Sequence, residues 1–322
     1  MASKQYPIQS GFGAQSTAAE VMDDIDLHGK TAIITGGYAG IGLETTRVLA
    51  AAGATVVVPA RSMDKARAAL QGIPRVELAE LDLLDRASID AFAHQYLDSG
   101  RALHMLINNA GIMATPLARD AHGYESQFAA NHLGHFRLTA RLLPALMQAG
   151  GARVVALSSR GHHWGQVDFD DPHFQRRDYD KWQAYGQSKT ANILFASGLD
   201  ERGLRHGIRA FSLHPGRILD TDLKRHLNTD DLRAFGLIDE KGELIRTGGK
   251  TIAQGAATTV WCAASPQLQG MGGVYCEDVD IAVPVAADDT GNTGLRPWAA
   301  DPVLADRLWT LSEQLADIEF RL

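Results

Sequence analysis

Two cysteines, Cys262 and Cys276, are all that the 322 residues contain. They are too few for a disulfide framework and suit a reducing compartment, so the cytoplasm is the expected location. No stretch approaches the roughly 18 uninterrupted apolar residues of a membrane span, and Met1–Val21 lacks the charged-then-apolar layout of a signal peptide. Basic residues do not predominate: 31 Lys and Arg stand against 38 Asp and Glu, a net charge of -7. Nucleic acid is therefore not expected as a partner, because binding it needs clustered cations on one face. There is no Pro- or Ser-rich linker, no internal repeat and no G-x-S-x-G nucleophile elbow. His162, His163 and His173 have no Cys or Glu at ligand spacing, so no metal site is expected. What is present is ordinary globular composition, 45% hydrophobic and 21% charged, which excludes a mainly disordered chain.

Residues 1–25 are Ser-, Gly- and Gln-rich without sustained periodicity and read as an N-terminal arm, lying on the body or partly disordered. From Asp26 onward short apolar runs alternate with helical patterns. Thr31–Thr35, Thr55–Pro59, Val76–Leu81, Met105–Ile107, Arg153–Leu157 and Arg209–Leu213 read as strands, with a further short one near Gly273–Tyr275. Helical spacing appears at Ile41–Ala52, Ser62–Leu70, Asp85–Leu97, Gly123–Gln148, Trp182–Arg202 and Gly248–Ala264. A last helix over 302–318 carries Val303, Leu304, Leu308, Leu311, Leu315 and Ile318 on one face. Continuously apolar strands are those buried on both faces. The expected fold is α/β: a doubly wound, Rossmann-type parallel sheet of about seven strands with helices on both faces. It forms a single domain over residues 26–322.

Thr35-Gly36-Gly37-Tyr38-Ala39-Gly40-Ile41-Gly42 falls where the first strand ends and a helix begins. A dinucleotide pyrophosphate needs close backbone N–H groups and the partial positive charge of a helix N-terminus, and this stretch offers both. The spacing is G-x-x-x-G-x-G rather than the common G-x-G-x-x-G. After the second strand comes Pro59-Ala60-Arg61-Ser62, with no acid to receive a ribose 2′-hydroxyl and a guanidinium able to grip a 2′-phosphate. NADP(H) is expected over NAD(H).

Further segments follow in order: Leu81-Asp82-Leu83, Asn108-Asn109-Ala110-Gly111, Asn131-His132-Leu133-Gly134-His135-Phe136, Ser158-Ser159, Tyr185-x-x-x-Lys189 and His214-Pro215-Gly216. Together with the glycine cradle they run from about Asp26 to Tyr275. The chain resembles a short-chain dehydrogenase/reductase, of the branch that includes retinol dehydrogenases and the WW-domain oxidoreductase. The resemblance implies a catalytic tetrad of Asn131, Ser159, Tyr185 and Lys189. It also implies cofactor contacts from Gly36, Tyr38, Gly40, Ile41, Gly42, Arg61, Ser62, Asp82, Leu83, Asn109, Ala110, Gly111, Pro215 and Gly216, besides Tyr185 and Lys189. Asp82 serves equally as a cap for the helix starting near Asp85. The family's threonine after the Pro-Gly pair is displaced here, with Asp220 at its position and Thr221 next, so Thr221 is the candidate.

The chemistry fits those residue types. Tyr185 and Lys189, four apart on a helix, share a face. An ammonium beside a phenol, with an oxidised nicotinamide, is expected to pull the phenol pKa down from about 10 so that Tyr185 trades protons near neutrality. Ser159 would hold the same oxygen, and Asn131 would anchor a water linking Lys189 to solvent. Tyr179 has Gln183, not lysine, four residues on. The expected activity is interconversion of a ketone or aldehyde and an alcohol. The alternatives are an NADP-sensing protein without turnover and a reductase of an activated C=C bond. Trp164, Phe169 and Phe174, in the long segment between Ser159 and Tyr185, are candidate pocket walls for a lipophilic or aromatic substrate. Residues 217–247 are the expected lid, and a homodimer or homotetramer is the assembly that the resemblance implies.

Overall fold

Short β-branched runs become strands here because helices cover both of their faces. A computed structural model describes residues 4–218, 220–234, 236–243, 245 and 248–322. It contains β1 (Thr31–Ile34), β2 (Thr55–Ala60), β3 (Val76–Glu80), β4 (Met105–Asn108), β5 (Ala152–Leu157), β6 (Ile208–His214), β7 (Val274–Glu277) and β8 (Asp280–Ile281). These form one sheet in the order β3-β2-β1-β4-β5-β6-β7-β8. Every pair is parallel except β7 with β8. The sheet therefore has eight strands rather than about seven; β8 is two residues long and leaves no periodic trace in the sequence. β1 and β4 are wholly buried, whereas edge strand β3 has no fully buried residue.

The helices are α1 (Gly40–Ala51), α2 (Met63–Ala69), α3 (Arg86–Asp98), α4 (Gly134–Gln148), α5 (Lys181–Gly203), α6 (Ile252–Ala264) and α7 (Pro302–Ala316), with shorter turns between. α1 and α6 close one face through Leu49, Ala50, Val260 and Trp261. α3, α4, α5 and α7 close the other through Ile89, Phe92, Phe136, Leu142, Phe195 and Trp309. The chain reverses its winding between β1 and β4, so the turns after β1, β4, β5 and β6 converge at one end of the sheet, the place where such folds bind ligands.

Two expectations are revised. Gly123–Gln148 is not one helix: Ser126–Phe128 is followed by a π-turn over Ala129–Leu133 before α4 begins. Periodicity cannot reveal this, since one inserted residue rotates the helix without changing its apolar content. The last helix stops at Ala316 because Asp317 turns left-handed at φ 50°. The arm lies on the body. Gln5 pairs its side chain with the backbone of Tyr275, accepting from N at 2.9 Å and donating to O at 2.8 Å, and Ala18 and Val21 are buried. Of the expected lid, residues 219, 235, 244, 246 and 247 lie outside the described residues. Within the rest, the helix Thr229–Ala234 is tied to the start of α5 by Lys181 Nζ on Asp231 Oδ2 at 2.5 Å. Among the described residues no helix is long and apolar enough to cross a membrane.

Candidate active site

The turn between β1 and α1 is shaped to receive an anion. The residue before α1, Ala39, is extended and has no side-chain oxygen to cap the helix, so the first-turn amides of Gly40, Ile41 and Gly42 face outward without partners inside the helix. At Gly42 the backbone comes so close that a Cβ would overlap the Gly36 carbonyl oxygen. Tyr38 and Ile41 pack their side chains into the apolar layer under α1. Thr221 leans over the cradle, its Cγ2 3.3 Å from where a Gly40 Cβ would stand.

Thr35 fastens the next turn to this one. Its hydroxyl accepts from the amides of Asn109 and Ala110 at 2.9 and 3.0 Å, and Asn109 Nδ2 returns a bond to Thr35 O at 2.8 Å. Arg61 stands exposed at the end of β2, and Ser62 opens α2 with no capping bond from its hydroxyl. Asp82 does not cap α3. Its carboxylate accepts from Leu84 N at 3.0 Å, while Asp85 caps the helix through Ala87 N. The Leu83 carbonyl abuts Gly134, at the start of α4. Pro215 and Gly216 follow β6, and Lys250 lies across Gly216 with its ammonium held by Asp278 at 2.6 Å.

Tyr185 and Lys189 are buried one turn apart on α5, with Nζ 5.5 Å from the phenol ring centroid. Lys189 Nζ donates to Leu157 O at 3.0 Å. Gly111, in the turn after β4, lies close to both sides of the group: a Cβ there would be 3.2 Å from Asn131 Oδ1 and 3.5 Å from Lys189 Nζ. Asn131 sits in the π-turn, with both protons of its amide committed. Oδ1 accepts from Ile112 N at 2.9 Å, and Nδ2 donates to Ile112 O and Ser188 Oγ at 3.0 and 2.9 Å. Ser158 points inward and donates to Lys189 O at 2.7 Å. Ser159 opens the short helical turn Arg160–His163 and lies beside the phenol.

The electrostatics differ from the expectation. Burial pushes the Tyr185 phenol up to about 12, with the Ser159 hydroxyl pulling it the other way, and pushes the Lys189 ammonium down to about 8. The lysine does not acidify the phenol by itself. Removing both groups from water disfavours both charged forms, and that desolvation outweighs their mutual attraction.

Two residues that build this site had no sequence signal of their own. A Cβ on Gly161 would stand 2.7 Å from Tyr185 Cε1, so only glycine lets the turn after Ser159 pass over the phenol ring. Gly161→Ala must displace that ring, and turnover should fall about 10²-fold with the chain still folded by circular dichroism; unchanged kcat would show that the ring position is not limiting. Ser188, between Asn131 and the Tyr185 carbonyl, accepts from the first and donates to the second at 2.8 Å. Among the aromatic candidates, Trp164 lies near the site, 6.4 Å from Tyr185 between ring centroids. With His163, Gln183 and Trp298 it lines a cavity of about 420 Å³. Phe169 and Phe174 instead sit under Arg307 and Arg177. Tyr179 bonds to Thr115 O and Glu125.

Comparison with known proteins gives the family. The short chain dehydrogenase family profile matches residues 30–232. A probable oxidoreductase of Streptomyces lividans is 46% identical over 292 residues, covering 88% of this chain and 97% of its own. The WW domain-containing oxidoreductase of Gallus gallus is 34% identical over 96% of this chain and 73% of its own length. A crystal structure of an uncharacterized protein from Mycobacterium paratuberculosis superposes with a TM-score of 0.72 at 36% identity, over 96% of this chain and 100% of that one. The profile spans more than half of the chain and the relatives nearly all of it, and the chain belongs to the short-chain dehydrogenase/reductase family of nicotinamide-dependent oxidoreductases.

Proposed function

We propose that this oxidoreductase uses NADP(H), in preference to NAD(H), to interconvert a ketone or aldehyde and the corresponding alcohol. The observation that supports this most directly is the meeting of Ser159, Tyr185 and Lys189 with the open amides of the Gly36–Gly42 cradle at one end of the sheet. The cradle and the turn Asn109–Gly111 fit a dinucleotide, since the first-turn amides of α1 have no side-chain cap and no partners inside the helix. Gly42 lets that turn pack directly on Gly36 and Asn109. Gly40, Ile41 and Gly42 would hold the pyrophosphate, Arg61 and Ser62 the 2′-phosphate, Asp82 and Leu83 the adenine, and Pro215, Gly216 and Thr221 the nicotinamide side. A bound nicotinamide supplies or accepts the hydride and, when oxidised, adds a positive charge to the site.

The remaining work falls to side chains of this chain. In reduction, Tyr185 donates its proton to the carbonyl oxygen while Ser159 hydrogen-bonds that oxygen, and the high phenol pKa keeps the donor protonated at neutral pH. Oxidation requires the same phenol to lose its proton first, which burial opposes and the positive charge of an oxidised nicotinamide would favour. Lys189, mostly charged below pH 8 and steadied by its bond to Leu157 O, stabilises the phenolate left behind. Asn131 holds Ile112 and Ser188 in place around it. Trp164, 6.4 Å from Tyr185 between ring centroids, supports a bulky or aromatic substrate.

The test of activity is loss of reduced-nicotinamide absorbance with a panel of ketones and aldehydes. Tight NADPH binding without loss for any of them would overturn the enzyme reading in favour of a sensor. For the cofactor, Arg61→Ala should lower kcat/KM with NADPH by roughly 10–100-fold, the worth of one charge-assisted hydrogen bond, and leave NADH unaffected. Equal losses with both cofactors would remove Arg61 from the 2′-phosphate site.

A further inference from the structure

A line of buried hydrogen bonds runs from the cofactor turn to the catalytic helix, and its middle member is a histidine for which the chemistry above has no use. His135, on the first turn of α4, has Nε2 2.8 Å from Thr35 Oγ1 and Nδ1 3.0 Å from Asn131 O. The direction of each bond follows from counting partners. Asn131 O can only accept, so the neutral ring has its proton on Nδ1 and gives it to that carbonyl. Nε2 accepts from the Thr35 hydroxyl, whose oxygen already receives the amides of Asn109 and Ala110 and whose proton also has Ile107 O within 3.4 Å. Burial, with the Lys189 charge nearby, pushes the His135 pKa down to about 4, which keeps the ring neutral.

That carbonyl lies in the π-turn, where each amide partner moves one residue along, as the Gly134 N bond to Ala129 O shows. From Asn131 the line continues through Nδ2 to Ser188 Oγ, and from Ser188 Oγ to Tyr185 O. Thr35, His135, Asn131, Ser188 and Tyr185 are each no more than 3% exposed. The neighbouring His132, equally buried, bonds instead to Ser312 at 2.7 Å, on α7 and away from the site.

We propose that His135 is a positioning residue for the reaction: it joins the dinucleotide turn to Asn131 and, through Ser188, to Tyr185, so that cofactor and proton donor are held in register. This rests on the dinucleotide-dependent reading above. A buried network in which every partner is satisfied holds one geometry. Replacing the ring by an apolar one leaves the Thr35 proton only the long contact to Ile107 O at 3.4 Å, takes a donor from Asn131 O and frees Tyr185 to shift.

The experiment compares His135→Phe and His135→Gln with wild type. His135→Phe should lower kcat about 10²-fold while the NADPH dissociation constant changes by less than about threefold. His135→Gln, which still offers a donor and an acceptor, should recover most of that loss. Hydrogen exchange gives a second readout that needs no turnover. NADPH should slow exchange at Tyr185–Lys189 in wild type and His135→Gln but not in His135→Phe, with slowing at Gly36–Gly42 in all three. Ser188→Ala cuts the same line with little change of volume, and should lower kcat at unchanged NADPH affinity even if His135→Phe does not fold.

Wild-type kcat in either His135→Phe or Ser188→Ala would overturn the proposal, as would a Gln variant no better than Phe. If wild type binds NADPH but turns over no carbonyl compound, the functional reading falls and the exchange pattern alone decides the role of His135. Absence of any dinucleotide binding overturns both.

Discussion

Tyr185→Phe should bind NADPH as wild type does and turn over carbonyl substrates roughly 10²–10⁴-fold more slowly, the range for losing a positioned general acid. The ring is buried and packs against Gly161 and Trp164, so phenylalanine fills the same space and folding is not at issue. Only the transferable proton goes. Because phenol burial suits the protonated form, reduction should show a flat pH profile across neutrality that falls only on the alkaline side. Steady-state kcat and fluorescence titration of NADPH on the same preparation separate the two quantities. Retained turnover in the variant would exclude Tyr185 as the proton donor.

Lys189→Met should do two opposite things: abolish most activity and stabilise the fold. The sign follows from the pKa. Lys189 is pushed from 10.5 down to about 8 by burial, so below pH 8 folded and unfolded chains both carry the proton and the folded one bears the full penalty of a buried ammonium. Between pH 8 and 10.5 the folded chain loses the proton first, and the penalty fades. At about 1.36 kcal/mol per unit, the burden is on the order of 3 kcal/mol. Methionine removes it, and Leu157 O keeps its bond from Asn192 at 2.9 Å. Denaturant unfolding should therefore show a gain that is large at pH 6 and nearly gone at pH 10. Equal destabilisation at both values would mean that the lysine contributes chiefly through its hydrogen bond. A gain in stability with loss of activity is the signature of strain kept for function.

The two substitutions act on one site through different physics, and each explains a limit of reading it from sequence. Four-residue spacing rightly places Tyr185 and Lys189 on one face, because helix geometry is local. It does not foresee that the face points inward, where desolvation reverses the expected phenol shift. From the residues alone Ser158 and Ser159 are equivalent, and only the family resemblance points to Ser159. Strand alternation says that they face opposite sides, but which side holds the phenol depends on α5, more than 20 residues later.

What the residues determine by themselves is the alternation of apolar strands with amphipathic helices, and hence the parallel sheet. They also determine the glycine cradle at a helix start, the missing acid after β2, and the order of the motifs from Thr35 to Gly216. All of these rest on interactions within a few residues. Only the tertiary structure decides that the helix before α4 loosens into a π-turn, that Gly161 must clear a ring 24 positions away, and that His135 joins Thr35 to Asn131. The ring clearance and the Thr35 bond join segments 24 and 100 residues apart. Packing, not sequence period, settles which buried polar atoms meet, because a polar atom out of water needs whichever partner the surrounding core brings within reach.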